Sequence, residues 1–345
     1  MSVETPTNPI PIEPSSGTLE TAAEIQAKQV PLTCSGHTRP VVQLQFSKII
    51  EEKYYLISAC KDGNPILRDG KTGDWIGTFF GHKGAVWSAK LNEDASMAVT
   101  GSADFTAKVW NACSGETLHS FTHKHIVRTA DFNKEGNKII TGGYEKKIRL
   151  YDLSSPDSPP TEFGELPSNI KNLIWNSETN LIYSSCEDKT LRIWDTRTST
   201  VVKSLDLNFN VTSMDMSFDK SFLMCTAGKE VKFWDSEKFD LIKSFEFSFD
   251  ASSVSILPES HSRFVVGGVS DLWVRSYDFT SGEELEVYKG HHGPVHSVSY
   301  SPDGEIYATG SEDGTIRLWQ TYPGKPYGLW QTRKVEDTSA STLAE

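Results

Sequence analysis

The sequence has no run of 18 apolar residues, the least that would cross a bilayer as a helix. Its first 28 residues lack the basic start and apolar core of a secretion signal. Cysteine is scarce: Cys34, Cys60, Cys113, Cys186 and Cys225 are odd in number and never spaced as CxxC, which argues against a disulfide framework or a zinc site. The expectation is small buried residues in a reducing compartment, hence a protein of the cytoplasm and nucleus. Basic residues are in deficit, 34 Lys and Arg against 46 Asp and Glu, for a net charge of -12. That balance disfavours a general nucleic-acid binder, whose affinity rests on cations meeting phosphates. Phosphate-cradling GxxxxGK[ST] and the nucleophile elbow GxSxG are missing too, so no cofactor and no small-molecule substrate are expected.

What the sequence does have is a repeat. An acidic or turn residue, a short β-rich run, an aromatic and usually Asp recur in frame. The aromatic position falls at Trp110, Tyr151, Trp194, Trp234, Tyr277 and Trp319, and Arg68 occupies it in a first, degenerate copy. Successive gaps are 42, 41, 43, 40, 43 and 42 residues. Gly36-His37, Gly81-His82 and Gly290-His291 accompany the pattern, with Thr122-His123 as a weaker copy. This is the period and signature of the WD repeat, four strands to a propeller blade. The fold class is therefore all-β, a seven-bladed propeller.

Two copies carry the full hydrogen-bonding tetrad of such repeats, read as His82-Ser102-Asp104-Trp110 and His291-Ser311-Asp313-Trp319. Ser, His and Asp together suggest a catalytic triad, but a nucleophile is needed once and these residues recur one blade apart. Their role is read as structural, and the protein as a non-enzyme. Apolar packing is expected to carry the fourth to sixth copies, which lack the His.

The last copy lacks a good outer strand, while residues 30–35 lie just before Gly36-His37, where every outer strand lies. These residues are expected to complete the seventh blade and protect its edge, with residues 327–331 as the alternative. The domain reading is a disordered leader over 1–29, a propeller over 30–321 and a partly disordered extension over 322–345.

Binding residues are sought at one rim of the central channel, next to the first aliphatic of each inner strand and just before each turn acid. Those positions hold Lys61, Trp87, Ile126, Arg128, Tyr144, Lys171, Glu187, His296 and Glu312. Trp87 is the leading candidate, because aromatics and Arg carry interface energy; packing within the blade is the alternative. Lys61, Lys83, Lys124, Arg128 and Lys171 could form a basic arc, or be scattered solvated cations. His123 and His125 have no evident third ligand, so no metal is expected.

Several runs go beyond the generic repeat: residues 31–42, 56–63 and 72–79, Gly81-His82-Lys83-Gly84-Ala85-Val86-Trp87, and residues 103–110, 123–127, 281–286 and 310–320. In these the chain resembles the serine/threonine kinase receptor-associated protein family, also called Unr-interacting proteins. The resemblance implies a scaffold associated with the survival-of-motor-neuron (SMN) complex in small nuclear RNP assembly. Its implied partners are Gemin subunits and an Unr-like RNA-binding protein, with RNA held indirectly, and in animals it implies a role in TGF-β receptor signalling. Two alternatives stay open. One is the i subunit of eukaryotic translation initiation factor three, a similar propeller. The other is a direct RNA-binding propeller using the basic arc.

Overall fold

The computed structural model describes residues 29–322. The second repeat shows how one copy becomes one blade. Val86–Leu91, Met97–Ser102, Thr106–Asn111 and Thr117–Thr122 pair antiparallel in chain order. The tight turn before the third strand is built by Asp104, whose Oδ1 accepts the Thr106 N–H at 3.0 Å. The residue after that acid takes a left-handed conformation, as Phe105 here and Gly314 in the last blade. The strand Met97–Ser102 is buried along nearly all its length, because both its faces meet neighbouring blades, while Thr117–Thr122 is largely exposed.

Seven such four-stranded sheets form the ring. The apolar core lies between adjacent blades: Ile57 and Phe79 of the first pack with Ala89, Ala98 and Trp110 of the second. The ring closes as expected. Leu32–Cys34 pairs antiparallel with Ile316–Gln320, matching Leu32 to Leu318 and Cys34 to Ile316. The edge of the seventh blade is thus covered from the other end of the chain. The alternative closing segment at 327–331 lies outside the described residues, as do residues 1–28 of the expected leader and 323–345 of the extension.

The tetrads require a correction. The hydroxyl bridging His82 and Trp110 belongs to Thr100, not Ser102. His82 Nε2 lies 2.7 Å from Thr100 Oγ1, which accepts the Trp110 indole N–H at 2.8 Å, while His82 Nδ1 lies 2.7 Å from Asp104 Oδ2. This arrangement fits a proton on Nδ1. In the last blade Thr309, not Ser311, bridges His291 and Trp319, at 2.7 and 2.9 Å. The reason is register. Trp110 stands opposite Ala98 and Lys108 opposite Thr100, so the indole reaches diagonally onto Thr100. Ser102 instead donates to the Gly84 carbonyl and accepts the Asp104 N–H. Burial would raise the Asp104 carboxyl, yet hydrogen bonds from His82, Thr106 and Lys83 hold it well below its usual range.

The first blade keeps three of the four members: His37 Nδ1 lies 2.9 Å from Asp62 and Nε2 lies 2.8 Å from Ser58 Oγ. Arg68, in the place of the Trp, donates to the carbonyls of Gly73 and Ser35. The third, fourth and sixth blades neutralise the turn acid in another way. A basic residue four positions on pairs with it, as Arg149 with Glu145 and Arg192 with Asp188, both at 2.7 Å, and Arg275 with Asp271. Packing is therefore not alone in replacing the His.

Candidate functional site

Every inner strand carries a β-bulge at the same frame position. A bulge adds one residue and re-aims its side chain. From the first blade to the seventh, the residues at these bulges are Val42, Trp87, Arg128, Lys171, Thr212, Ser252 and His296. All except Ser252 line one mouth of the channel, a cavity of about 80 Å³. The mouth is lopsided: three consecutive blades supply an aromatic and two cations, and the next supplies only the small hydroxyl of Thr212.

Trp87 is half-buried and sits between cations. Arg128 stacks on its ring at 3.8 Å from the centroid, and Lys61 Nζ lies over it at 5.6 Å. The indole N–H of Trp87 has no acceptor among the described residues. Burial pushes the Arg128 guanidinium below the ordinary Arg range, and Tyr144 and Glu187 only partly offset this. Lys61 lies 3.8 Å from Glu312, which also meets His296. Tyr144 stands outside the cavity lining and packs on His125 at 5.3 Å.

The structure thus brings Trp87, Arg128, Lys171 and His296 to one opening, with Lys61 above the tryptophan. Of the expected basic arc only Arg128 and Lys171 line it, Lys61 stands beside it over Trp87, and Lys83 and Lys124 do neither. His123 is buried in its blade near Tyr151, and burial lowers its pKa to about 4. His125 packs on Phe105 and Tyr144. His37, Cys60 and Asp62 come together closely enough to hold a cation. Their polar atoms are already engaged, however: His37 by Asp62 and Ser58, and Cys60 by the Arg39 carbonyl.

A second ring lies three residues beyond the bulges: Gln45, Lys90, Asp131, Ile174, Asp215, Ser255 and Ser299. Lys90 pairs with Asp131 at 2.8 Å, and Asp131 also accepts the Trp175 N–H from the next blade. Burial raises the Asp215 carboxyl to about 6, with Lys90 opposing. Lys90 and Asp215 line both this mouth and the opposite one, a cavity of about 150 Å³. None of the rim candidates expected from sequence falls on this ring, although charged residues at one frame position of three apolar strands are a visible signal. The ring side chains also satisfy inner-edge backbone. Gln45 accepts the Leu91 N–H at 2.8 Å and Ser255 the Tyr300 N–H at 3.0 Å, so the channel wall is sealed from blade to blade.

Comparison with known proteins agrees with this architecture. The family described as WD domain, G-beta repeat matches residues 73–111, 115–152, 161–195 and 282–320. The chain is 54% identical over 312 residues to the human serine-threonine kinase receptor-associated protein, covering 90% of this chain and 88% of that protein. It is 47% identical over 291 residues to the protein of the same name from Dictyostelium discoideum, covering 84% and 98%. Eukaryotic translation initiation factor 3 subunit I of Culex quinquefasciatus is more distant, 28% identical over 316 residues and covering 84% and 95%.

Proposed function

Because this chain belongs to the serine-threonine kinase receptor-associated protein family, we propose that it is a non-catalytic scaffold for small nuclear RNP assembly. In this reading it holds Gemin subunits of the SMN complex and an Unr-like RNA-binding protein, in the cytoplasm and nucleus. RNA is reached through those partners. Association with kinase receptors, which the relatives' name states of them, extends the role in a host that has such receptors.

The observation that carries the scaffold reading is the bulge ring. It aims Trp87, Arg128, Lys171 and His296 into one opening. Trp and Arg in a partly desolvated pocket are the residue types on which interfaces concentrate their energy. The Asp and His groups of the tetrads are spent on hydrogen bonds inside the blades.

Affinity purification of the tagged full chain, read by mass spectrometry, tests the proposal. Co-purification of Gemin and Sm proteins is expected. Retrieval of initiation-factor subunits with 40S ribosomes instead would overturn it in favour of the initiation-factor reading.

A further inference from the structure

Arg128 is held at the mouth without an acid. Arg149 holds Glu145, Arg192 holds Asp188 and Arg275 holds Asp271, while the buried Arg68 donates to two backbone carbonyls. Arg128 has only the Trp87 ring, and no described carboxylate lies within ion-pair distance of it or of Lys171. Of the acids nearby, Asp215 lies in the second ring, where Lys90 opposes its charge, and the others are committed elsewhere. Glu187 accepts from Asn169 at 2.8 Å, and Glu312 serves His296 and Lys61. A guanidinium presents five N–H donors in a rigid fork that matches a carboxylate. Stacking on an indole fixes its plane, so little freedom remains to be lost on binding. A half-buried cation left in this state is costly until an anion arrives.

We propose that this mouth receives an acidic side chain of a partner protein, with its carboxylate in the Arg128 fork and Lys171 as the second cation. The inference rests on the reading of the mouth as an interaction site and adds the chemistry of what enters it. The cavity of about 80 Å³ suits the end of one side chain. The partner's backbone has room over the exposed Thr212, where the bulge carries only a small hydroxyl. Charge complementarity is local. Blades three and four place cations at the opening of a chain whose net charge is -12, so an acidic partner is drawn to this opening and repelled by the rest. A single-stranded RNA would need a cationic groove and several stacking platforms along its length. Here one indole and a short arc of cations favour a single carboxylate.

The test uses the full chain with fluorescein-labelled hexaglutamate, hexaglutamine and hexauridine, read by fluorescence anisotropy at low salt. Hexaglutamate should bind at least tenfold more tightly than hexaglutamine. Charge-assisted hydrogen bonds are worth about 1.5–3 kcal/mol, roughly 10–100-fold in affinity. Arg128→Gln and Lys171→Gln should each weaken hexaglutamate binding by about that factor, and Arg128→Lys should restore it only in part. Lys238→Gln, on an exposed loop, should leave binding unchanged. Should Arg128→Gln fail to fold, as judged by its thermal melt, Lys171→Gln decides. Equal binding of hexaglutamine, no binding of hexaglutamate to the wild type, or full retention by the variants overturns the proposal. So does tighter binding of hexauridine that depends on Arg128, which would make the mouth an RNA site. Gemin and Sm proteins retrieved by a chain that ignores hexaglutamate would sink the carboxylate inference and leave the assembly reading standing. Hexaglutamate bound by a chain that retrieves none of them would sink the assembly reading alone.

Discussion

Replacing Thr100 with Val keeps the volume of the side chain and removes one hydroxyl. In the structure that hydroxyl serves two buried partners, His82 Nε2 at 2.7 Å and the Trp110 indole N–H at 2.8 Å. Thr100 and Trp110 are fully buried, so water cannot take over. Leaving a buried polar group unpaired costs about 1–3 kcal/mol. Two such groups, with a small return from the added methyl, give an expected loss of about 2–4 kcal/mol. Ser102→Ala is the control that separates the observed network from the one read in the sequence. Ser102 makes a 3.3 Å bond to the Gly84 carbonyl and a 3.1 Å bond from the Asp104 N–H, neither of which involves His82 or Trp110. Its loss should cost about 1 kcal/mol. Urea unfolding followed by tryptophan fluorescence and by far-ultraviolet circular dichroism measures both variants, and coincidence of the two transitions licenses the comparison. A Ser102→Ala loss equal to or larger than that of Thr100→Val would refute the assignment.

Other consequences are testable in the same way. Asp215→Asn should stabilise the protein by about 1–2 kcal/mol at pH 7.5, less than the full linkage because the carboxyl is partly accessible in the channel wall. The sign follows from its raised pKa. Between the ordinary carboxylate value of 3.8 and about 6 the folded state holds a proton that the unfolded state has released, so this group's contribution weakens as pH rises through that window. The gain from Asp215→Asn should therefore shrink below pH 6 and vanish below pH 3.8 in urea melts across that range. Asp62 has the opposite sign: burial alone would raise it, but hydrogen bonds from His37 and from the Asn64 N–H hold it at about 2. Its stabilisation should be present above pH 3.8 and lost as pH falls toward 2, so acid unfolding of Asp62→Asn should be less steep in that window. Arg192→Met should lower stability by about 1–3 kcal/mol, since it leaves the Asp188 carboxylate without its 2.7 Å partner; an unchanged urea midpoint would mean that the turn acid needs no cation. Deleting residues 1–35 removes the strand Leu32–Cys34, exposes the edge at Ile316–Gln320 and should lower and broaden the thermal transition; an unchanged melt would contradict closure by that strand.

The architecture was legible because a propeller writes its period into the chain. The turn acid and the aromatic return every 40 to 43 residues, and closure follows from where an outer strand is missing and where a spare one lies. The bridging hydroxyl was not legible, because Ser102 and Thr100 share one face of the same strand. Only the diagonal reach of Trp110 across its register chooses between them. The acid–base pairs of the third, fourth and sixth blades were hidden for a related reason. Residues four apart around a β-turn look unconnected until the strands are folded back on each other. At the rim, the frame position located Trp87, Arg128, Lys171 and His296, but the bulge that turns them into the channel leaves no mark in a single sequence. Lys83 and Lys124 looked equivalent to Lys171 in charge and differ from it only in where the backbone aims them.

The central claim is that one mouth of this propeller is where partners are held. The most direct measurement is a quantitative comparison of the proteins retained by the wild-type chain, by Trp87→Ala and by Lys171→Glu, each first shown to melt as the wild type does. The account predicts that both variants lose the Gemin and Sm proteins that the wild type retains, and that Lys238→Glu on the far loop loses none. Retention of the same partners at wild-type levels by both mouth variants would contradict it.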